Sequence, residues 1–108
     1  MKTEGEVFVM FKSDTGIREN VIEEIQELAR QHHIKKVILF GSRARGDYRR
    51  VSDIDLAACG GDIARFSLDV EEETSTLLKF DVVNLDAAAQ PELLASIEKD
   101  GRVIYEQV

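Results

Sequence analysis

The feature that most narrows the fold is a rhythm of short apolar runs set between segments with helical spacing. Val37, Ile38, Leu39 and Phe40 form a continuous apolar run stopped by Gly41, which predicts a short buried strand over Lys36–Phe40. Ser52–Cys59 predicts a second strand, in which Ile54 and Leu56 alternate with Asp53 and Asp55, so one face is apolar and the other carries two carboxylates. Phe80–Leu85 and Val103–Tyr105 read as two more strands. Between and before them lie helical patterns. Ile17–His33 places Ile17, Val21, Ile25, Leu28 and Ala29 on one stripe, with Asp14 or Thr15 available as N-cap. Its adjacent His32 and His33 read as a solvated helix end. Asp62–Lys79 reads as a helix with Glu71, Glu72 and Glu73 on a solvated face, and Pro91–Lys99 as a helix with proline in its first turn and Gly101 as its stop. Strands separated by helices pack most simply as a two-layer α/β sandwich. Parallel or mixed pairing stays open on this pattern alone.

At 108 residues the chain predicts one domain over 1–108, burying about 65% of its unfolded surface but without room for two cores. Residues 1–13 read as a loose end or an extra strand near Val7–Phe11. The 14 basic and 21 acidic residues give a net charge of -7, which argues against general coating of nucleic acid. One cysteine, Cys59, excludes a disulfide framework and a thiolate zinc cluster, and is read as a small hydrophobe ending a strand. The apolar run in MKTEGEVFVMF is too short for a signal peptide or a membrane span. The chain reads as cytoplasmic.

The charges crowd into one connection, GSRARGDYRRVSDIDL from Gly41 to Leu56. Asp53 and Asp55 project from one strand face, and Asp81 joins them if the strand beginning Phe80-Asp81-Val82 pairs alongside. Each close pair of like charges there costs about 4 kcal/mol at an effective dielectric of about 20, so the cluster requires protonation or a cation. Oxygen-only donors suit magnesium or manganese. Just upstream, Gly41 lets the backbone approach a ligand, Ser42 adds a hydroxyl, and the turn amides that follow form an anion-binding concavity. Arg43, Arg45, Arg49 and Arg50 against Asp47 give that turn a local charge of four minus one, or +3. A carboxylate pair beside an anion-binding turn is what a magnesium complex of a nucleoside triphosphate requires.

Gly41-Ser42, ten residues, then Asp53-Ile54-Asp55, with Asp81 on a later strand, closely resembles the signature of the polymerase-beta-like nucleotidyltransferase superfamily. The fuller wording resembles its minimal nucleotidyltransferase (MNT) group. That resemblance, spanning about Val37 to Leu85, implies a two-layer α+β nucleotidyltransferase core with a mixed β-sheet and helices packed on one face. It implies that Asp53, Asp55 and Asp81 are catalytic and hold two magnesium ions, manganese being an alternative, and that Gly41 and Ser42 hold the triphosphate of ATP. The group is similar to the antitoxin half of modules whose other half is a helical HEPN protein. The implied reaction is adenylylation of that partner on tyrosine, in a hetero-oligomer, with a homodimer as a further arrangement. The chain's small size independently leaves the site open on one face, so that a partner protein supplies the missing wall.

Plainer readings stand beside these. Arg43 and Arg45 are candidates either for phosphate contact or for balancing Asp47. Arg49 and Arg50 read as solvated or partner-facing, and Tyr48 as an exposed loop aromatic. Asp86 is the rival to Asp81, but looks like a cap for the segment after the strand. Two other functions fit less well. One is a degenerate nucleotidyltransferase fold that neutralises its partner by occlusion. The other is a glycosyltransferase-like use of Asp-x-Asp, disfavoured by the absence of a second domain for the sugar acceptor.

Overall fold

The computed structural model describes residues 6–7, 14–87 and 90–107. Its centre is β2 (Lys36–Phe40), the continuous apolar run. On one side of it lie β5 (Arg102–Gln107) and then β1 (Glu6–Val7). On the other lie β3 (Ile54–Cys59) and then β4 (Phe80–Asn84), giving the order β1-β5-β2-β3-β4. Every neighbouring pair is antiparallel except β3 and β4. That exception has a local cause: α3 (Ile63–Glu73) lies between them in the chain, and a helical crossover returns the backbone to the starting end of the sheet. The sheet is mixed, as the resemblance implies. Of the candidate extra strand at Val7–Phe11, Val7 falls in β1; its remaining positions lie outside the described residues.

Alternation along the strands divides the interior in two. Val37 and Leu39 of β2 and Ile54, Leu56 and Ala58 of β3 face α3 and α1 (Glu19–Gln31), where Val21, Ile25, Phe66 and Val70 complete the main core. Phe40 and Ala57 face the other way, against Ile97 of α4 (Pro91–Asp100), with Ile38, Val83 and Leu93 around them. The helices therefore pack on both faces, α4 alone on the reverse one, and not on a single face as expected. A strand with four consecutive apolar residues, Val37 to Phe40, leaves hydrophobic surface on both sides of the sheet, and both must be covered. A bulge in the β2–β5 pairing between Val37 and Ile38 leaves Ile104 and Tyr105 consecutive and both buried in the main core.

Two boundaries and one side chain differ from expectation. The first helix begins at Glu19 after Arg18, which makes no side-chain cap. Thr15 instead accepts from the Ile17 amide at 3.2 Å, and Asp14 pairs with Arg102 at 2.7 Å. The helix expected over Asp62–Lys79 stops at Glu73, with Asp62 as its N-cap, accepting from the Arg65 amide at 3.1 Å. The segment after it is drawn off to α1, where Glu24 accepts from the Ser75 amide and hydroxyl at 2.8 and 2.5 Å. His32 is no solvated helix end: its Nε2 lies 2.7 Å from Asp69 of α3 and joins the two helices. Among the described residues no helix is long and apolar enough to cross a membrane.

Candidate active site

The site forms where β2 ends. Phe40 pairs with Asp55, and Gly41 then leaves the strand with φ 76° and ψ -157°, a conformation that favours glycine. A Cβ built on Gly41 would lie 2.2 Å from Oδ2 of Asp55. The backbone thus presses directly against the carboxylate, and any side chain there would displace it. Ser42 opens α2 (Ser42–Arg45), a single turn closed by amide donation from Gly46 to the Ser42 carbonyl at 2.8 Å.

The parallel register of β3 and β4 sets Asp55 directly opposite Asp81. Residues opposed in this way share a face of the sheet, so the condition under which Asp81 joins the other acids is met. Asp53 stands one residue ahead of β3 and is exposed, Asp55 is half-buried, and Asp81 is exposed on the strand at the end of the sheet order. Burial, then the charges of Asp81 and Asp53, push the Asp55 carboxyl up to about 6, against a smaller opposing pull from Arg45. Asp55 therefore lies within reach of the charges of both other acids. Asp86 lies at the far end of β4, where it accepts from the Gly60 amide at 2.8 Å, so it does not share this neighbourhood.

The arginines separate sharply. Arg43, a candidate either for phosphate contact or for balancing Asp47, is only 1% exposed. Its Nε donates to the Ser52 carbonyl at 3.0 Å, one terminal nitrogen to Thr15 at 2.8 Å, and the other to Arg50 and Arg49 at 3.1 and 3.4 Å. Tyr48 covers it, the guanidinium carbon lying 4.8 Å from the ring centroid. Arg43 is thus a buried clamp on the loop that leads into Asp53, and is not placed to reach a phosphate. Desolvation holds its pKa below the ordinary arginine range, and charged hydrogen bonds at about 1.5–3 kcal/mol each offset that cost. No sequence pattern marks this role, because the partners are backbone carbonyls. Arg45 remains partly exposed, bonded to Asp47 at 3.3 Å and 3.9 Å from Asp100.

The donor set fits a hard divalent cation. All three acids offer oxygen only, and their mutual repulsion is the condition such an ion relieves. Among the described residues no three His, Cys, Asp or Glu side chains make a ready-made metal cage.

Residues 23–108 match the polymerase beta nucleotidyltransferase family. The chain belongs to that family. A relative from Methanocaldococcus jannaschii, named "Putative protein adenylyltransferase MJ0604", is 39% identical over 82 residues, covering 67% of this chain and 79% of its own. A crystal structure of a toxin-antitoxin with AMP-PNP superposes with a TM-score of 0.66 at 22% identity, covering 80% of this chain and 73% of that one. A mutant of the toxin-antitoxin MntA-HpeT gives 0.65 at 20% identity with the same coverage. These two likenesses show the fold, and the family match shows a nucleotidyltransferase domain.

Proposed function

We propose that the chain is a single-domain, magnesium-dependent adenylyltransferase that moves AMP from ATP to a hydroxyl of a partner protein, and that it is the antitoxin of a toxin-antitoxin pair. The acceptor in this reading is a tyrosine of a helical HEPN toxin. The observation that carries it is the β3–β4 register, which sets Asp81 beside Asp55 while Gly41 presses on the same carboxylate. The relative's name as a protein adenylyltransferase and the toxin-antitoxin neighbours give it direction.

Asp53, Asp55 and Asp81 are the residues that would hold magnesium. Bound there, the ion would neutralise the carboxylates and draw charge from the phosphoryl oxygens. The Gly41 backbone, the Ser42 hydroxyl and Arg45 hold the triphosphate, leaving the α-phosphorus toward the acids. Arg43 does not contact the nucleotide. It keeps the 47–53 loop, and with it Asp53, in place. Asp81, exposed at its strand, meets the incoming hydroxyl and orients its oxygen. As that oxygen bonds the α-phosphorus, its proton passes to the Asp81 carboxylate, the bond to pyrophosphate breaks and pyrophosphate leaves, so in-line positioning supplies most of the acceleration.

The test compares ATP labelled at the α- and γ-phosphates, each incubated with magnesium, this protein and its purified partner. Label should pass to the partner from the α position alone, and Asp53→Ala should stop it. Transfer from neither label, or equal transfer with Asp53→Ala, overturns the reading.

A further inference from the structure

On the sheet face opposite α4 a second concavity of about 200 Å³ opens, between the chain entering α1, the end of the 46–53 connection and the 74–79 loop. Its floor is apolar, formed by Ile17, Val21 and Leu78. Its rim is basic, with Arg18 and Arg50 lining it and both exposed. Among the described residues neither guanidinium is paired with a carboxylate. Glu24, which reaches this loop, is already engaged by Ser75. Arg18 and Arg50 against the Glu24 carboxylate on Ser75 leave two minus one, or +1, around the apolar floor, in a chain of net charge -7. Beside them Val51 is 78% exposed and Leu77 101% exposed. A single exposed aliphatic residue means little, but two flanking an arginine-rimmed concavity make a surface of defined chemistry.

We propose that this concavity docks an acidic segment of the acceptor protein: an apolar side chain of the segment fills the cavity, carboxylates on either side pair with Arg18 and Arg50, and Val51 and Leu77 close against it. Only the assignment of the segment to the acceptor rests on the adenylyl-transfer reading. The chemistry follows from charge complementarity and from arginine's fork of donors, which matches a carboxylate. The position adds a reason. Asp53 lies three residues beyond Arg50 and Asp81 three residues beyond Leu78, so the two loops that shape the groove also deliver two of the three acids. A segment anchored there would bring its parent protein to the mouth of the site, and the binding energy would go into positioning.

The test needs neither ATP nor magnesium. The full ¹⁵N-labelled chain is titrated with the peptide acetyl-Glu-Asp-Leu-Glu-Asp-amide and followed by backbone amide shifts. Saturable shifts are expected at residues 16–21, 50–52 and 75–78. Affinity should fall at least about tenfold in Arg18→Glu/Arg50→Glu and in Leu77→Asp, a surface change that leaves the core intact, and the peptide with lysines in place of its acids should not bind. Absence of saturable shifts at millimolar peptide, shifts centred on residues 41–46, or unchanged affinity in both variants overturns the proposal. Failure of label transfer to the acceptor protein would instead overturn the adenylyl-transfer reading and leave the titration as it stands.

Discussion

Replacing Asp55 by asparagine should stabilise the protein while ending its activity. Asp55 is a half-buried carboxyl pushed from 3.8 to about 6, chiefly by burial and then by Asp81 and Asp53. At neutral pH the folded state therefore holds a charge that the unfolded chain carries more comfortably. The span from 3.8 to about 6 corresponds to about 3 kcal/mol, and solvent screening at this partly open strand end reduces it to about 1–2 kcal/mol. Because the folded pKa is the raised one, the stability associated with the protonated group is fully present below 3.8 and is lost as pH rises through about 6. Asparagine keeps the shape without the charge. Urea unfolding of Asp55→Asn at pH 7.5 should show a gain of about 1–2 kcal/mol, and thermal unfolding a rise of about 5–10 °C. The gap should shrink as pH falls through about 6 and level off only below 3.8, where the wild-type carboxyl is protonated in both states. An equal or less stable variant at pH 7.5, or a gap independent of pH, refutes the repulsion argument.

Other substitutions separate scaffold from site. Gly41→Ala combines a positive φ with a Cβ 2.2 Å from Asp55 and should cost about 2–3 kcal/mol in urea unfolding along with nucleotide binding. Gly46→Ala, with φ 96° but nothing within 4 Å, should cost about 1 kcal/mol and leave ATP affinity unchanged. Arg43→Lys cannot reproduce the four bonds to carbonyls and should lose about 3 kcal/mol of stability. Arg45→Ala should stay within about 0.5 kcal/mol in stability but weaken ATP binding about fivefold in a calorimetric titration. If neutralisation of the partner is chemical, Asp53→Ala with Asp55→Ala should abolish rescue of growth in a co-expression assay; rescue that survives points to occlusion.

Local patterns were the legible part. The run at Lys36–Phe40 and the Pro91 helix with its Gly101 stop read directly, because one strand or one helix is decided by neighbouring residues. The pairing of Asp55 with Asp81 could be stated only as a condition, since it joins residues 26 positions apart and depends on α3 returning the chain to the same sheet end. The helix expected over Asp62–Lys79 stops at Glu73 because Ser75 bonds to Glu24 of another helix, and no local signal announces those bonds. Arg43 misled for a related reason. Arginine beside a glycine-serine turn resembles a phosphate ligand, and arginine is seldom fully buried, so a clamp made of backbone carbonyls leaves nothing to see in sequence.

The most direct measurement is the intact mass of the purified partner after incubation with this protein, ATP and magnesium, with pyrophosphate assayed in the same tube. The account predicts that the partner gains the mass of one or more AMP groups on a hydroxyl side chain, that pyrophosphate appears in equal amount, and that Asp55→Asn produces neither despite being the more stable protein. A partner whose mass does not change, or one modified equally by Asp55→Asn, would contradict it.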